Sequence, residues 1–136
     1  MIDRAYLPLF ADRFVPFGVT LTFKGIDLTG KAMSAQVRKA VNYPTSALAT
    51  LNVTTTVGGE GLRLVSVITN PDGSKSSVVE LRISEATIRA MPTSALLDGS
   101  VEEDITFAWD LKIETTSGFY EIYCYGPFLL RAGVTQ

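Results

Sequence analysis

Apolar and polar side chains alternate with a period of two along most of the chain, which is the pattern of half-buried β-strands. The segment 104–114 shows it most clearly, because every second residue from Ile105 to Ile113 is apolar and the intervening ones are polar or small. The same alternation predicts seven further strands, at 14–24, 31–39, 48–57, 62–69, 76–83, 119–125 and 128–131. Eight short strands at near-regular spacing predict an all-β sandwich or barrel.

Short polar connections separate the predicted strands. Asp72 and Gly73 form the clearest hairpin signal, because this pair accepts the positive φ that tight turns require. The glycine-rich run 58–61 is predicted to be a second turn; it lacks the Lys-Ser/Thr ending of a phosphate-binding loop. One short helix is predicted after Ser84, which suits an N-cap, and Pro92 ends it.

The alternation also predicts which side chains face the core. These are Val15, Phe17, Val19, Leu21 and Phe23 in the first strand, then Met33, Ala35, Val37, Leu51, Val53 and Trp109. Pro16 and Gly18 weaken the start of the first strand as a ladder partner. They indicate either an edge position or a β-bulge there.

Residues 1–12 are set apart from the predicted domain at 13–136, because they precede the first strand and Pro8 interrupts them. Their apolar side chains need a surface to cover them, on either the same domain or a neighbouring protein. The arm is therefore predicted to contribute interface residues, namely Tyr6, Leu7, Leu9 and Phe10.

The strand 119–125 is rich in aromatic residues, and its two alternating sets cannot both face the core. One set has to lie on a sheet surface, where interfaces favour tyrosine. The predicted contact residues of this strand are Phe119, Tyr123 and Tyr125. Such a surface would suit either a protein or a sugar.

The composition narrows the functional classes. A chain of 136 residues that is 46% hydrophobic can bury one core, but it is too short for two ordinary domains. Its 12 basic and 14 acidic residues are dispersed, so no basic stripe predicts nucleic acid or an anionic membrane surface as a partner.

Histidine is absent, and Cys124 is the single cysteine. Neither an intrachain disulfide nor a histidine-dependent catalytic arrangement can form, so we predict no enzyme, no catalytic residues and no cofactor. Cys124 is predicted to be a buried, unreactive thiol.

The acidic group of Asp98, Glu102, Glu103 and Asp104 offers oxygens that calcium prefers. It lacks the alternating spacing of a calcium loop, so we predict a solvated loop and no metal. The N-terminus lacks the basic start and long apolar run of a signal peptide, and the uncharged stretch 40–59 is too polar to span a bilayer. A soluble protein made in a cytoplasm is expected.

Three groups of residues occur in a familiar order. Asp27-Leu28-Thr29-Gly30-Lys31 is followed by Ala35-Gln36-Val37-Arg38; Ser84 to Thr87 then precedes Trp109-Asp110-Leu111; and a hairpin leads through Gly126 to Val134-Thr135. Over roughly 12–135, this order resembles the N-terminal domain of phage baseplate upper proteins and related small tail and fibre-attachment domains.

The resemblance implies an immunoglobulin-like β-sandwich that docks onto a phage tail and carries receptor-binding parts. The predicted function is therefore that of a structural virion protein of a bacteriophage or prophage tail or baseplate, assembled in the bacterial cytoplasm. Its expected partners are other virion proteins and further copies of itself. Two alternatives stay open: a carbohydrate-binding module for a host glycan, and a capsid decoration protein.

Overall fold

The computed structural model of the protein describes residues 5–39, 47–92, 104–116 and 118–131. Within these ranges the chain forms nine strands and one helix. The first strands are β1 (Ala5–Tyr6), β2 (Leu9–Asp12), β3 (Phe17–Phe23), β4 (Met33–Arg38) and β5 (Ala49–Asn52). The remaining elements are β6 (Gly61–Thr69), β7 (Lys75–Ile83), α1 (Glu85–Ala90), β8 (Ile105–Thr116) and β9 (Phe119–Arg131).

The strands form two sheets that pack as a sandwich. The larger sheet has the order β1-β9-β8-β4-β5, and β2 also pairs with β9. The smaller sheet has the order β3-β7-β6. Counted from β3, the small sheet has the B-E-D order of an immunoglobulin domain, and β4, β8 and β9 take the places of C, F and G. The predicted all-β, immunoglobulin-like sandwich is thus confirmed.

The core lies between the two sheets and contains the inward side chains of every long strand. The side chains with less than 2% of their surface exposed include Leu28, Leu51, Leu62, Val79, Leu81, Ile83, Ile88, Leu111, Ile113, Phe128 and Leu130. Trp109 is also buried, as predicted. Leu28 lies outside the strands; its backbone N–H donates to Ser77 Oγ, which holds it at one end of the sandwich.

Two local predictions of turn and cap chemistry are confirmed. Gly73 has a φ of 88° in the turn between β6 and β7. Glycine adopts this positive φ without steric strain, whereas residues with a Cβ do not. Ser84 caps α1, because its side-chain oxygen accepts a hydrogen bond from the backbone N–H of Thr87. The helix ends at Ala90, shortly before Pro92.

The prediction that residues 1–12 lie outside the domain is wrong for the part that is described. Ala5–Tyr6 and Leu9–Asp12 run parallel to β9 as strands of the large sheet. Leu9 and Ala11 are buried in the domain's own core. The domain therefore begins before residue 13, and the surface that covers the segment is its own domain, which was one of the two alternatives.

Two side chains that were predicted to face the core, both near strand ends, are instead exposed. Val15 is 48% exposed, because β3 begins only at Phe17. Val53 is 47% exposed, because β5 ends at Asn52 and the chain there turns towards β6. Alternation specifies a face only where the ladder is regular.

β9 is one continuous strand of 13 residues, whereas the sequence predicted two separate strands at 119–125 and 128–131. Its register against β8 slips by one residue, since Leu111 faces Cys124 whereas Lys112 faces Ile122. Tyr123 is the extra residue of this β-bulge. The bulge reverses the alternation, so Tyr123 and Cys124 are both buried.

Candidate interaction surface

The outer face of the large sheet has a cluster of aromatic side chains along the edge formed by β1, β2 and β9. Tyr6 lies opposite Tyr125 in the parallel ladder, and their ring centroids are 5.6 Å apart in an edge-to-face arrangement. Tyr6 is 63% exposed and Tyr125 is 41% exposed. This pair therefore presents aromatic surface to the outside even though its rings contact one another.

The cluster continues along β2 towards the end of β9. Phe10 lies opposite Leu129 in the ladder and is half exposed, and the Arg131 guanidinium sits 5.5 Å from the centre of the Phe10 ring. Arg131 also lies 3.7 Å from the Asp12 carboxylate. We call Tyr6, Phe10, Tyr125, Leu129 and Arg131 the aromatic edge. Aromatic residues beside an arginine are typical of protein interfaces.

The aromatic edge is held in place by contacts of the peptide that joins β1 to β2. The Leu7 N–H donates to the Tyr125 carbonyl at 2.8 Å, and the Leu7 carbonyl accepts from Trp109 Nε1 at 2.8 Å. A Cβ on Gly126 would lie only 2.6 Å from the Leu7 carbonyl oxygen, so only glycine allows this close approach. Leu7 itself is half buried against the core.

A polar row extends from the aromatic edge across the outer face. Tyr125 faces Asp110, Asp110 faces Gln36, and Gln36 faces Thr50 on neighbouring strands. Arg38 forms a cross-strand ion pair with Asp110 at 3.5 Å, and its guanidinium also donates a hydrogen bond to the Gln36 side chain. The other Asp110 oxygen, Oδ1, is buried and accepts no hydrogen bond from any residue within the four described ranges.

The predicted aromatic contact set of β9 does not form one surface. Phe119 is 70% exposed at the β8–β9 hairpin, and Tyr125 lies on the sheet face roughly 20 Å further along the strand. Tyr123 between them is only 7% exposed and packs against Phe23, with ring centroids 6.2 Å apart. Burial, and the nearby Glu121 charge, raise the pKa of the Tyr123 phenol.

Of the seven predicted interface residues, four are exposed: Tyr6, Phe10, Phe119 and Tyr125. The prediction is wrong for Leu9 and Tyr123, which belong to the core, and Leu7 is half buried because it packs against that core.

Tyr120 is not among the predicted contact residues of β9, yet it is 48% exposed and lines a cleft of about 730 Å³. The cleft lies where β4, β5 and β6 approach one another. Leu28, Met33 and Leu64 contribute apolar surface, whereas Lys31, Asn52, Thr54 and Arg63 contribute polar groups. Its volume falls within the range of small-molecule sites, roughly 300–1,000 Å³.

Cys124 is buried, as predicted, and burial raises the pKa of its thiol to about 11.

In the four described ranges, no three Cys, Asp or Glu side chains lie close enough to form a metal site. Asp98, Glu102 and Glu103 of the acidic group lie outside those ranges. Among the described residues, no helix has the length and apolar character that crossing a bilayer requires.

A scan against protein-family models finds no matching family, and a search of curated proteins finds no matching protein. The resemblance to phage baseplate domains therefore stays a prediction from short motifs.

Proposed function

We propose that the protein is a structural component of a bacteriophage or prophage tail or baseplate, and that it acts by docking to neighbouring virion proteins. The observation that carries this proposal is the aromatic edge, a set of exposed aromatic side chains mounted on a rigid sheet. A few residues supply most of the binding free energy at protein interfaces, and tyrosine and arginine are enriched among them.

A second observation supports the proposal: residues from the three sequence motifs that resemble phage baseplate domains are neighbours in the large sheet. Val37, Trp109 and Gly126 come from three distant motifs, and they lie side by side on β4, β8 and β9. Trp109 and Gly126 both contact Leu7, which places Tyr6 beside Tyr125. In this proposal, the shared motif residues serve to present the docking surface.

The polar row suits a protein partner as well. The side chains of Arg38 and Asp110 are partly exposed, at 31% and 21%, so a partner that lay across the outer face would meet a charged pair beside the aromatic edge.

The test is to induce the prophage in the bacterium that carries the gene, purify the particles and quantify this chain by mass spectrometry. We expect a fixed copy number relative to other tail proteins. The double variant Tyr6→Ser/Tyr125→Ser should fold but be depleted from particles at least tenfold. Val57→Ser is the matched control, because Val57 is an apolar residue that is 79% exposed outside the aromatic edge.

Absence of the chain from purified particles would overturn the proposed location. Equal incorporation of the double variant and Val57→Ser would show instead that the aromatic edge is not the docking surface.

A glycan-binding role is the second candidate, and the cleft beside Tyr120 favours it. One half-exposed aromatic ring with several amide, hydroxyl and cationic groups around it is the composition of a sugar site. The tyrosine that would contact the sugar is Tyr120, because Tyr123 is buried.

A glycan array of host surface polysaccharides tests this candidate. Binding that is lost in Tyr120→Ala and kept in Phe119→Ala, the exposed neighbouring aromatic residue, would support it. Binding that is equal in both variants, or no binding to any glycan, would remove the cleft from consideration.

A further inference from the structure

The four sheet edges of the sandwich differ in how they are protected against pairing with another strand. A free edge presents unpaired N–H and C=O groups, and proteins usually block it with charges, proline, bulges or very short strands. On the large sheet, the first edge consists of β1 and β2, which have only two and four residues and are separated by Pro8. β5, at the other edge, has four residues.

β6, at one edge of the small sheet, is also protected. Its register breaks between Leu64 and Ser66, which is a bulge, and Arg63 adds a charge. Its start is joined to the end of β5, because Val53 and Leu62 form a bridge and Thr54 N–H donates to the Leu62 carbonyl at 2.9 Å.

β3, at the opposite edge of the small sheet, has none of these devices. Its seven residues, Phe17–Phe23, pair with β7 without a register shift. The strand contains no charge and no proline, since Pro16 precedes it. Among the described residues β3 pairs only with β7, so alternate backbone N–H and C=O groups point away from the sheet.

The side chains of β3 are symmetrical about its central residue, Thr20. If a second β3 is placed antiparallel with a two-fold axis at Thr20, Phe17 faces Phe23, Gly18 faces Thr22, and Val19 faces Leu21 of the second copy. Apolar residues then meet apolar residues on the core side, and small exposed residues meet on the outer side. No like charges are brought together within the new ladder.

We propose that β3 pairs with β3 of a second copy of this chain, which makes one continuous six-stranded sheet from the two small sheets. The self-matching pattern selects a second copy over an unrelated strand, because an isologous two-fold contact requires one surface to complement itself. This inference deepens the proposed assembly role by naming the partner and the contact.

The contact is small, so the dimer should be reversible. Seven residues extend over roughly 23 Å, and one strand pair buries less than the ~1,600 Å² of a standard interface. We therefore expect the mass in solution to rise with concentration from one chain, 14.7 kDa, to twice that value.

Sedimentation velocity over a concentration series of the purified chain tests this. Thr20→Lys places a charge at the two-fold axis on an exposed side chain, so it should weaken dimerisation at least tenfold without unfolding the domain. Thr50→Lys is the matched control, because Thr50 is an exposed threonine on β5, an edge strand of the other sheet. A single-chain mass at all concentrations, or equal effects of both variants, would overturn the inference.

Disulfide trapping gives a second readout that does not depend on the lysine variant. At the two-fold axis the two Thr20 Cα atoms should be about 4.5–5.5 Å apart, which a disulfide can span. Thr20→Cys should cross-link under oxidised glutathione at least tenfold faster than Thr50→Cys, and the native thiol is buried. Equal rates would count against the β3 contact. Both experiments use the isolated protein, so their failure leaves the particle experiment undecided, and the reverse also holds.

Discussion

Trp109 Nε1 donates a hydrogen bond to the Leu7 carbonyl oxygen at 2.8 Å. The two residues are 102 positions apart in the sequence. The bond joins the centre of β8 to the peptide between β1 and β2, across β9. Because the Leu7 N–H donates to the Tyr125 carbonyl, both backbone polar groups of Leu7 are hydrogen-bonded. The edge that presents Tyr6 and Phe10 therefore depends on a residue buried in the core.

Trp109→Phe should consequently lower both global stability and local protection of the edge. It leaves the Leu7 carbonyl without its donor, which costs about 1–3 kcal/mol, and the smaller ring loses further packing. We expect a lower urea midpoint, together with faster hydrogen exchange at the amides of β1 and β2.

Phe107→Leu is the control for this prediction. Phe107 is a neighbouring inward residue of β8 and is also buried. Phe107→Leu should lower stability through lost packing alone, without a selective increase in hydrogen exchange at the Leu7 amide. If both variants leave the exchange of β1 and β2 equally protected, the hydrogen bond does not hold the edge.

Gly126→Ala should destabilise the protein by roughly 2–3 kcal/mol, within the upper range for single substitutions. The new Cβ would sit 2.6 Å from the Leu7 carbonyl oxygen, a backbone atom that cannot move without disturbing the ladder. Chemical denaturation followed by tryptophan fluorescence measures the change at Trp109 directly.

Gly18→Ala provides the contrast. A Cβ at Gly18 meets nothing closer than 3.9 Å, at the flexible Arg82 side chain, and its φ is ordinary. This variant should leave the free energy of unfolding unchanged or raise it by about 0.4–1 kcal/mol, because alanine reduces the conformational entropy of the unfolded chain. Equal losses in the two variants would contradict the close-approach explanation.

Arg13 is buried, with 4% of its surface exposed, and it joins the segment after β2 to the end of α1. Its guanidinium donates to the Met91 carbonyl at 3.2 Å and to the Pro92 carbonyl at 3.2 Å. Arg13→Lys keeps the charge but loses the planar set of donors, so we expect a loss of about 2 kcal/mol.

Arg82→Lys is the matched control, because Arg82 is a partly exposed arginine that pairs with Glu80 at 3.8 Å. Exposed pairs contribute little, so this variant should change the unfolding free energy by less than about 1 kcal/mol. Thermal unfolding of both variants measures the difference. A loss for Arg82→Lys as large as that for Arg13→Lys would mean that burial of Arg13 is not the reason.

Much of this architecture could be predicted from local pattern. The alternation over 104–114 identified β8 and its buried face, and Ser84 identified the start of α1, because period and cap chemistry are local properties. Pro16 and Gly18 indicated either an edge position or a bulge, and β3 has the edge position without a bulge.

What could not be predicted depends on contacts between distant parts of the chain. β1 and β2 are too short to show a period, and their pairing with β9 crosses more than 100 positions. The β9 bulge moves Tyr123 into the core and has no signal in the sequence. The burial of Arg13 could not be predicted either, because it depends on the Met91 and Pro92 carbonyls, which are distant in the sequence.

The Cys124 thiol should make the stability of the protein fall at alkaline pH. Its pKa is raised from 9.0 to about 11 by burial, so the folded chain holds the proton over a range in which the unfolded chain loses it. Ionisation of this thiol therefore costs no stability well below pH 9 and lowers stability as the pH rises from 9 to about 11. Urea midpoints measured across this range should fall less for Cys124→Ala than for the native chain.

The same burial predicts slow chemical labelling of the thiol. Only the thiolate reacts with disulfide reagents, and Cys124 is both protonated and 5% exposed in the folded protein. At pH 8, we expect labelling by a disulfide reagent to be at least a hundredfold slower in the folded chain than in urea. The engineered thiol of Thr50→Cys, at an exposed position of β5, serves as the control and should react quickly. Equal labelling rates at the two positions would mean that β9 opens readily around its bulge, which would also remove the physical basis for the alkaline effect.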